Sequence, residues 1–323
     1  MSHRTAPTPP PARAEAPAPT FDAATVATLV AATLGRDVLD AAFVPKGFAN
    51  ENWRVRTTEG DVLVKIGGPG ADPAKWRASA RALGFARDAG VPGPALLHGE
   101  ASCRELAGRV LRIQSWIDGV SPDVLDGASA ERFWTALGRA VRSLHGIAFD
   151  AFSSRLDDSA PDFPTWSAYL DYRIPQIEAR CARASLLGAV ERAEIWARVR
   201  ADAQAVDSAV TPAFAHRDLH TDNLLATEDG GLAALLDFDM VEPWDPVGDW
   251  FKLSHWCFAG RPERRQAFEA GYGVPSDCWT AFERRRAIVD VLEGMNLAAN
   301  DSLAEDARGV DWTLAIVDGA LAQ

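Results

Sequence analysis

Thiol chemistry has almost no material here. The 323 residues hold four cysteines, Cys103, Cys181, Cys257 and Cys278, with no Cys-x-x-Cys pair among them. A thiolate metal site and a disulfide framework are both excluded as organising devices, and reduced, structural thiols are left. Apolar runs of bilayer-spanning length are also missing, and the N-terminus lacks the apolar stretch of a secretory leader. The expected location is therefore cytoplasmic, with no membrane partner. Positive charge is scarce, with 33 Lys and Arg against 45 Asp and Glu and a formal net charge of -12. Such a surface does not neutralise a phosphate backbone, which argues against nucleic acid as a partner and makes a cationic or neutral one easier to accommodate. Internal repeats are absent.

Large apolar side chains are nearly absent from residues 1–20, which are rich in Pro and Ala. That stretch cannot repay the entropy of ordering and is expected to lie outside the fold as a disordered tail. Beyond it, 47% apolar content over this length suits two lobes, expected at 21–117 and 118–323. An Ala-rich helix running to Gly35 precedes extended segments at 52–57 and 61–66 around a Glu59-Gly60 turn, which predicts a β-hairpin. In its second strand Val62, Val64 and Ile66 share one face, while Leu63 and Lys65 share the other. A lysine in an apolar strand needs an anion. A helix over 73–88, closed by Gly90 and Pro92, and two further extended stretches leading to 111–117 complete an α+β first lobe. After Gly119 helical spacing takes over, as in Phe133, Leu137, Val141 and Leu144 and again in Ile288, Val291, Leu292 and Met295. The second lobe is thus expected to be mainly helical, interrupted by one short hairpin over 223–238.

The chemistry gathers around that hairpin. His216-Arg217-Asp218-Leu219-His220-Thr221-Asp222-Asn223 fits the catalytic-loop pattern H-R-D-L-x-x-x-N at every fixed position. An apolar strand then ends in Asp237, where the same pattern places its metal-binding aspartate. Phosphoryl transfer asks a protein for positioning and for neutralisation of charge. Asp218 can orient an incoming hydroxyl and accept its proton, and Asn223 and Asp237 supply hard oxygen ligands suited to magnesium. His216 is read as a brace for the loop. Val62-Leu63-Val64-Lys65 matches the strand whose lysine pairs nucleotide phosphates, and the turn from Lys46 to Trp53 could cover phosphate oxygens with backbone amides.

Together these residues resemble the aminoglycoside phosphotransferase family, whose relatives include kinases for choline, homoserine and methylthioribose. The resemblance spans about residues 43 to 256. It implies a bilobal protein-kinase-like fold, with a small antiparallel-sheet lobe and a larger helical lobe. It also implies that Gly47 and Asn50 lie in the nucleotide-binding turn, that Lys65 binds phosphate, and that Ser115, Trp116 and Ile117 form the hinge at the nucleotide. His220 is the second histidine of an H-x-D-x-H-x-x-N loop, in which Arg217 stands where the family commonly has glycine. Asp245-Pro246-Val247-Gly248-Asp249-Trp250 is similar to the G-D-P-x-x-D segment, which implies that Asp249 braces the catalytic loop.

In one position the sequence departs from the family. The helix after Lys65 should carry a glutamate paired to that lysine, yet alignment on Gly90-Val91-Pro92 puts Ser79 there, and no Glu occurs between Lys65 and Gly90. Either Asp72 or Asp88 substitutes, or Lys65 is held by phosphate alone, with weaker nucleotide binding.

Other polar residues receive plainer readings. His98, His145 and His255 lack metal-like spacing and are read as hydrogen-bonded packing residues. The tryptophans are read as core, except that Trp116 could line an adenine site. Asp290, Glu293, Asp301, Glu305 and Asp306 could line a pocket for a cationic substrate, but a solvated helix face is the preferred reading.

The expected activity is transfer of the γ-phosphate of ATP or GTP, with Mg2+, to a hydroxyl of a small polar acceptor by a monomer or homodimer. An aminoglycoside-like antibiotic, and hence antibiotic resistance, is one possibility. A housekeeping kinase for an amino alcohol, amino acid or sugar is the alternative, because the catalytic loop reports the reaction and not the acceptor. A silent nucleotide-binding module is the reading from another class, motivated by the missing glutamate.

Overall fold

The computed structural model describes residues 18–46, 50–273 and 279–323. Gly47, Cys278 and the expected tail, apart from residues 18–20, lie outside the described residues. The tail expectation needs one correction at its end: the amides of Thr20 and Phe21 donate to Glu51 at 2.9 and 3.1 Å, so the fold begins before residue 21.

Asp22 caps the first helix, α1 (Ala23–Leu34), by accepting from the Thr25 amide at 2.7 Å, and Gly35 ends it in the left-handed region. Strand β1 (Val38–Val44) follows; its Asp and Ala content hid it from sequence reasoning. Next come β2 (Asn50–Thr57), β3 (Val62–Gly67), α2 (Pro73–Asp88), β4 (Leu96–Cys103) and β5 (Arg109–Ser115). The five strands form one antiparallel sheet in the order β1-β2-β3-β5-β4. One face carries Trp53, Val55, Val62, Val64, Ile66, Leu111 and Ile113, sealed by Val26, Leu29 and Val30 of α1. Each such aliphatic side chain contributes roughly 1.5–3 kcal/mol of burial. A slip of one residue would drive Lys65 and its cross-strand partner Arg112 into that core, so the register is firmly set. Both cations instead face α2 and the second part of the chain.

The second part contains α3 (Gly127–His145), the short pair β6 (Phe152–Ser153) and β7 (Asp162–Phe163), α4 (Trp166–Arg183) and α5 (Ala189–Val206). Strands β8 (Ala213–Ala215), β9 (Leu224–Ala226), β10 (Leu232–Leu235) and β11 (Glu242–Trp244) come next. The helical turn α6 (Trp250–Lys252), then α7 (Pro262–Tyr272), α8 (Trp279–Leu303) and α9 (Ala307–Leu321) complete it. β9 pairs with β10, and β8 pairs with β11. Trp134, Trp166, Trp244 and Trp250 are fully buried in the surrounding helical core. The whole is an α+β, protein-kinase-like architecture.

The solvated-face reading of the late acidic residues fails for three of the five. Asp290, Glu293 and Asp301 sit inside, because α8 is surrounded by α4, α5 and α9 and has no continuous solvent side. Among the described residues, no helix is long and apolar enough to cross a membrane.

Candidate active site

Strand β8 delivers His216, fully buried, to the start of the loop. Its Nδ1 accepts from the Asp218 amide at 3.3 Å and its Nε2 reaches the Leu236 carbonyl at 3.1 Å. A carbonyl can only accept, so the proton sits on Nε2, and the ring ties the loop to the residue before Asp237. Asp249 secures the same loop from below. It accepts from the amides of His216, at 3.0 Å, and Arg217, while His145 Nε2 lies 2.9 Å from it. Burial works to raise the Asp249 pKa, but His145, with His216 and the Arg217 amide, outweighs it and holds the carboxyl below its ordinary value.

The hairpin of β9 and β10 sets the next relationship. Leu224 pairs with Leu235, and the Leu236 amide donates to the Asn223 carbonyl at 2.9 Å, so Asn223 and Asp237 emerge side by side at one end. Asn223 Nδ2 donates to the Asp218 carboxylate at 2.7 Å and to its carbonyl at 2.9 Å. That commits the amide nitrogen and leaves the amide oxygen as the atom a cation would meet. His220 lies between Asp218 and Asp222, 3.7 Å from each. Asp237 has a left-handed backbone, φ 58°, an uncommon state for a non-glycine residue that gathers at functional turns.

Lys65 enters from the sheet. Its Nζ lies 3.1 Å from Asp237 Oδ1 and 3.7 Å from Asp239 Oδ2. Arg112 grips Asp239 with two nitrogens, at 2.6 and 2.9 Å, and Ser79 donates to the same carboxylate at 2.6 Å. Asn50 Nδ2 stands 3.4 Å from it. Burial alone would raise the Asp239 pKa; Lys65 and then Arg112 hold it well below the ordinary 3.8. This network corrects the expectation about the missing glutamate. Asp72 caps α2 and pairs with Arg155 at 2.6 Å, and Asp88 pairs with its neighbour Arg87. Lys65 is instead held by Asp237 and Asp239. A cavity of about 250 Å3 opens beside it, lined by Asn50, Lys65, Lys75, Arg112 and Asp239 among others.

In the stretch expected to form the hinge, the Ser115 amide donates to the Ala95 carbonyl at 2.9 Å and the Trp116 amide to the Asp61 carbonyl at 3.1 Å. Trp116 is less available than its position suggests. Arg54 lies over its ring at 4.5 Å, and its indole N–H donates to Asp118 at 2.9 Å.

Asp218, the adjoining Asn223 and Asp237, and Lys65 facing them from the sheet stand in the arrangement that phosphoryl transfer asks for, and the sequence profile of the phosphotransferase enzyme family matches residues 40–288. The chain belongs to that family. Its activity class is accordingly that of a small-molecule kinase. No curated protein matches it. Among solved structures it is similar to a protein assigned as a fructosamine-3-kinase from Haemophilus somnus 129PT, at 15% identity and TM-score 0.68, covering 92% of this chain and 96% of that one. Another, from Thermobifida fusca YX-ER1, is 20% identical, with TM-score 0.65 and 92% and 97% coverage. Aminoglycoside phosphotransferase APH(4)-Ia, in a ternary complex with AMP-PNP and hygromycin B, is 12% identical, with TM-score 0.69 and 92% and 98% coverage. At these identities the likeness is one of fold.

Two sets of contacts in this phosphotransferase were not foreseen from the sequence. Lys252, on α6, ion-pairs with Asp218. Burial pushes the Asp218 pKa up, but His220 and Lys252 prevail and hold it far below 3.8. Lys252 lies three residues past Asp249, and no pattern in the sequence pairs it with the loop. The second feature is Arg217, whose φ of 63° explains why glycine suits the position. Here a buried guanidinium takes it, ion-paired to Glu242 and Glu293 and lying 3.9 Å over the Trp244 ring.

Proposed function

We propose that this phosphotransferase moves the γ-phosphate of magnesium-bound ATP to a hydroxyl of a small polar acceptor, with Asp218 as the group that receives the hydroxyl. The observation that carries the reading is the convergence of Asp218, Asn223 and Asp237 at one hairpin end, opposite Lys65. Asp218 orients the acceptor oxygen and takes its proton as the bond to phosphorus forms. Its depressed pKa makes it a weak base, which suits a reaction in which the proton leaves late and positioning dominates. Lys65 and the cations lining the adjoining cavity neutralise the nucleotide phosphates. Ser115, Trp116 and Ile117 border the adenine. With the first two amides already bonded, the Ile117 backbone is the part of the hinge offered to the base.

Among the described residues, no three His, Cys, Asp or Glu side chains converge as a self-contained metal site. Magnesium needs no such cage in a kinase, since one or two protein oxygens and the substrate phosphates hold it, and Asn223 with Asp237 fits that requirement. When bound, the ion would neutralise charge developing on the phosphates. Lys65, now on Asp237 at 3.1 Å, would then be free to turn to phosphate.

The test is magnesium-dependent ADP formation across a panel of hydroxylated acceptors, with wild type and Asp218→Asn in parallel. Acceptor-stimulated turnover that falls by roughly 10²–10⁴-fold in the variant, with AMP-PNP still bound, is the expected result. Full turnover in Asp218→Asn overturns the assignment. The silent-module reading loses its motive, because Lys65 has two carboxylates without the missing glutamate.

A further inference from the structure

Beside Asp218 the helical part holds a second charge cluster that the proposed transfer leaves unused. Helix α4 carries Tyr169, Arg173 and Arg180 at spacings of four and seven, so they share one face. That face meets α8, where Arg180 bonds the Asn296 amide oxygen. The carboxylates in this region are all taken. Glu242 and Glu293 pair with Arg217, and Tyr169 donates to Glu242 at 2.7 Å. Asp218 pairs with Lys252, and Asp290 lies 3.2 Å from His255 and 3.4 Å from Arg286.

The cations are not matched in the same way. Among the described residues, Arg173 makes no ion pair, and its Nε is sealed from solvent without a hydrogen-bond partner. Arg180 has a neutral amide as its hydrogen-bond partner, and burial, then Arg173 and Arg183, pull its pKa below the ordinary 12.5 although Glu293 acts to raise it. The carboxylate that acts on both, Glu293, is already ion-paired to Arg217, so neither guanidinium has an anion of its own, which is costly where it is buried. Tyr169, one turn from Arg173, bonds Glu242, and Glu242 and Glu293 both hold Arg217, the residue next to Asp218, so this cluster lies close to the place where an acceptor hydroxyl must stand. The chain carries a net charge of -12, yet here the local balance is reversed.

We propose that the acceptor carries an oxyanion, carboxylate or phosphate, seated on Arg173 and Arg180 while its hydroxyl lies against Asp218. The inference rests on the kinase reading and narrows its substrate class. The planar fork of a guanidinium matches either oxyanion with two parallel bonds. A polyamine acceptor would need the opposite, several free carboxylates; those named above are paired, and Asp222, exposed on the loop, has His220 at 3.7 Å.

The experiment is equilibrium binding of glycerate, glycerol 3-phosphate, glycerol and hygromycin B to the full chain loaded with Mg2+ and AMP-PNP. The expected result is that one of the two oxyanions binds at least tenfold more tightly than glycerol. Which of them does so names the group. Arg173→Gln should abolish that preference and Arg173→Lys should keep part of it, with AMP-PNP affinity reporting that each variant is folded. Equal binding of charged and neutral probes overturns the inference, and so does tightest binding of hygromycin B that Arg173→Gln leaves unchanged. Magnesium-dependent AMP-PNP binding that survives intact in Asp237→Asn would strike the phosphotransfer reading instead.

Discussion

Ser79 donates its hydroxyl to Asp239 at 2.6 Å, joining α2 to the segment that follows β10. Arg112 reaches the same hydroxyl at 2.5 Å, so one small side chain completes a network where a glutamate was expected to meet Lys65. Removing the hydroxyl leaves Asp239 its two cations. Ser79→Ala is therefore expected to cost about 1 kcal/mol and to lower Tm by about 2–4 °C, with a KM for ATP only a few-fold higher. Thermal unfolding and initial rates check it. A collapse of ATP binding would mean that Ser79 positions Lys65 directly.

Arg112 is the stronger support. It is 5% exposed and supplies two of the bonds that keep Asp239 charged. Arg112→Met leaves a buried carboxylate with Lys65 as its main cation, at an expected cost of about 3–5 kcal/mol. Lys65 should then be drawn toward Asp239, weakening nucleotide binding. Adding Asp239→Asn should recover part of the stability, because the unpaired charge is gone. Chemical denaturation of the single and double variants measures the coupling, and strict additivity would refute it.

The pH dependence follows from the direction of the shifts. Asp218, Asp239, Asp249 and Glu293 all lie below their ordinary values. A carboxyl whose folded pKa is depressed contributes stability that is present above its unfolded pKa and lost as pH falls through the folded one. Stability should thus be flat from about pH 6 to 8 and fall below about pH 4. Turnover should show no acid limb from Asp218 in the neutral range. Lys252→Met removes one of the influences that depress Asp218, so its acid limb should move to higher pH. An unmoved limb would show that Lys252 does not tune the Asp218 carboxylate.

Much of this was legible because local patterns carried it. Asp72 and Pro73 announce α2, whose bounds match those expected, and strict alternation along Val62–Ile66 places Lys65 on the face opposite the core. The convergence of Asp218, Asn223 and Asp237 was readable from the fixed residues of their motifs. The network around Asp239 was not, since Lys65, Ser79, Arg112 and Asp239 come from four elements and no short-range pattern links them. Glu293 was misread for a related reason: on a helix enclosed by others, a charged residue beside an apolar stripe faces a buried partner instead of water, and only the fold shows that the partner is Arg217. β1 was overlooked because pairing with β2, and not its own Asp and Ala residues, makes it a strand.

Arg217 offers the sharpest test, because two effects oppose each other there. Its left-handed backbone costs about 1–2 kcal/mol for a non-glycine residue, so Arg217→Gly relieves strain and restores the residue common in the resemblance. The same change strips Glu242 and Glu293 of their cation, and an uncompensated buried charge costs about 3–5 kcal/mol. The larger effect wins, and the variant should be less stable by about 1–4 kcal/mol at neutral pH. The loss should depend on pH in a way that strain relief cannot produce. In the wild type Arg217 helps to hold Glu293 below its ordinary pKa. Without it, only Arg173 and Lys252 oppose burial, and the folded pKa rises from its wild-type value. Relative to the wild type, a carboxyl raised in this way contributes stability that is present at low pH and lost as pH climbs through the folded value. The deficit of Arg217→Gly should therefore shrink toward about pH 5 and widen toward pH 8. Parallel stability profiles for the two proteins would show instead that water, not Arg217, neutralises these glutamates.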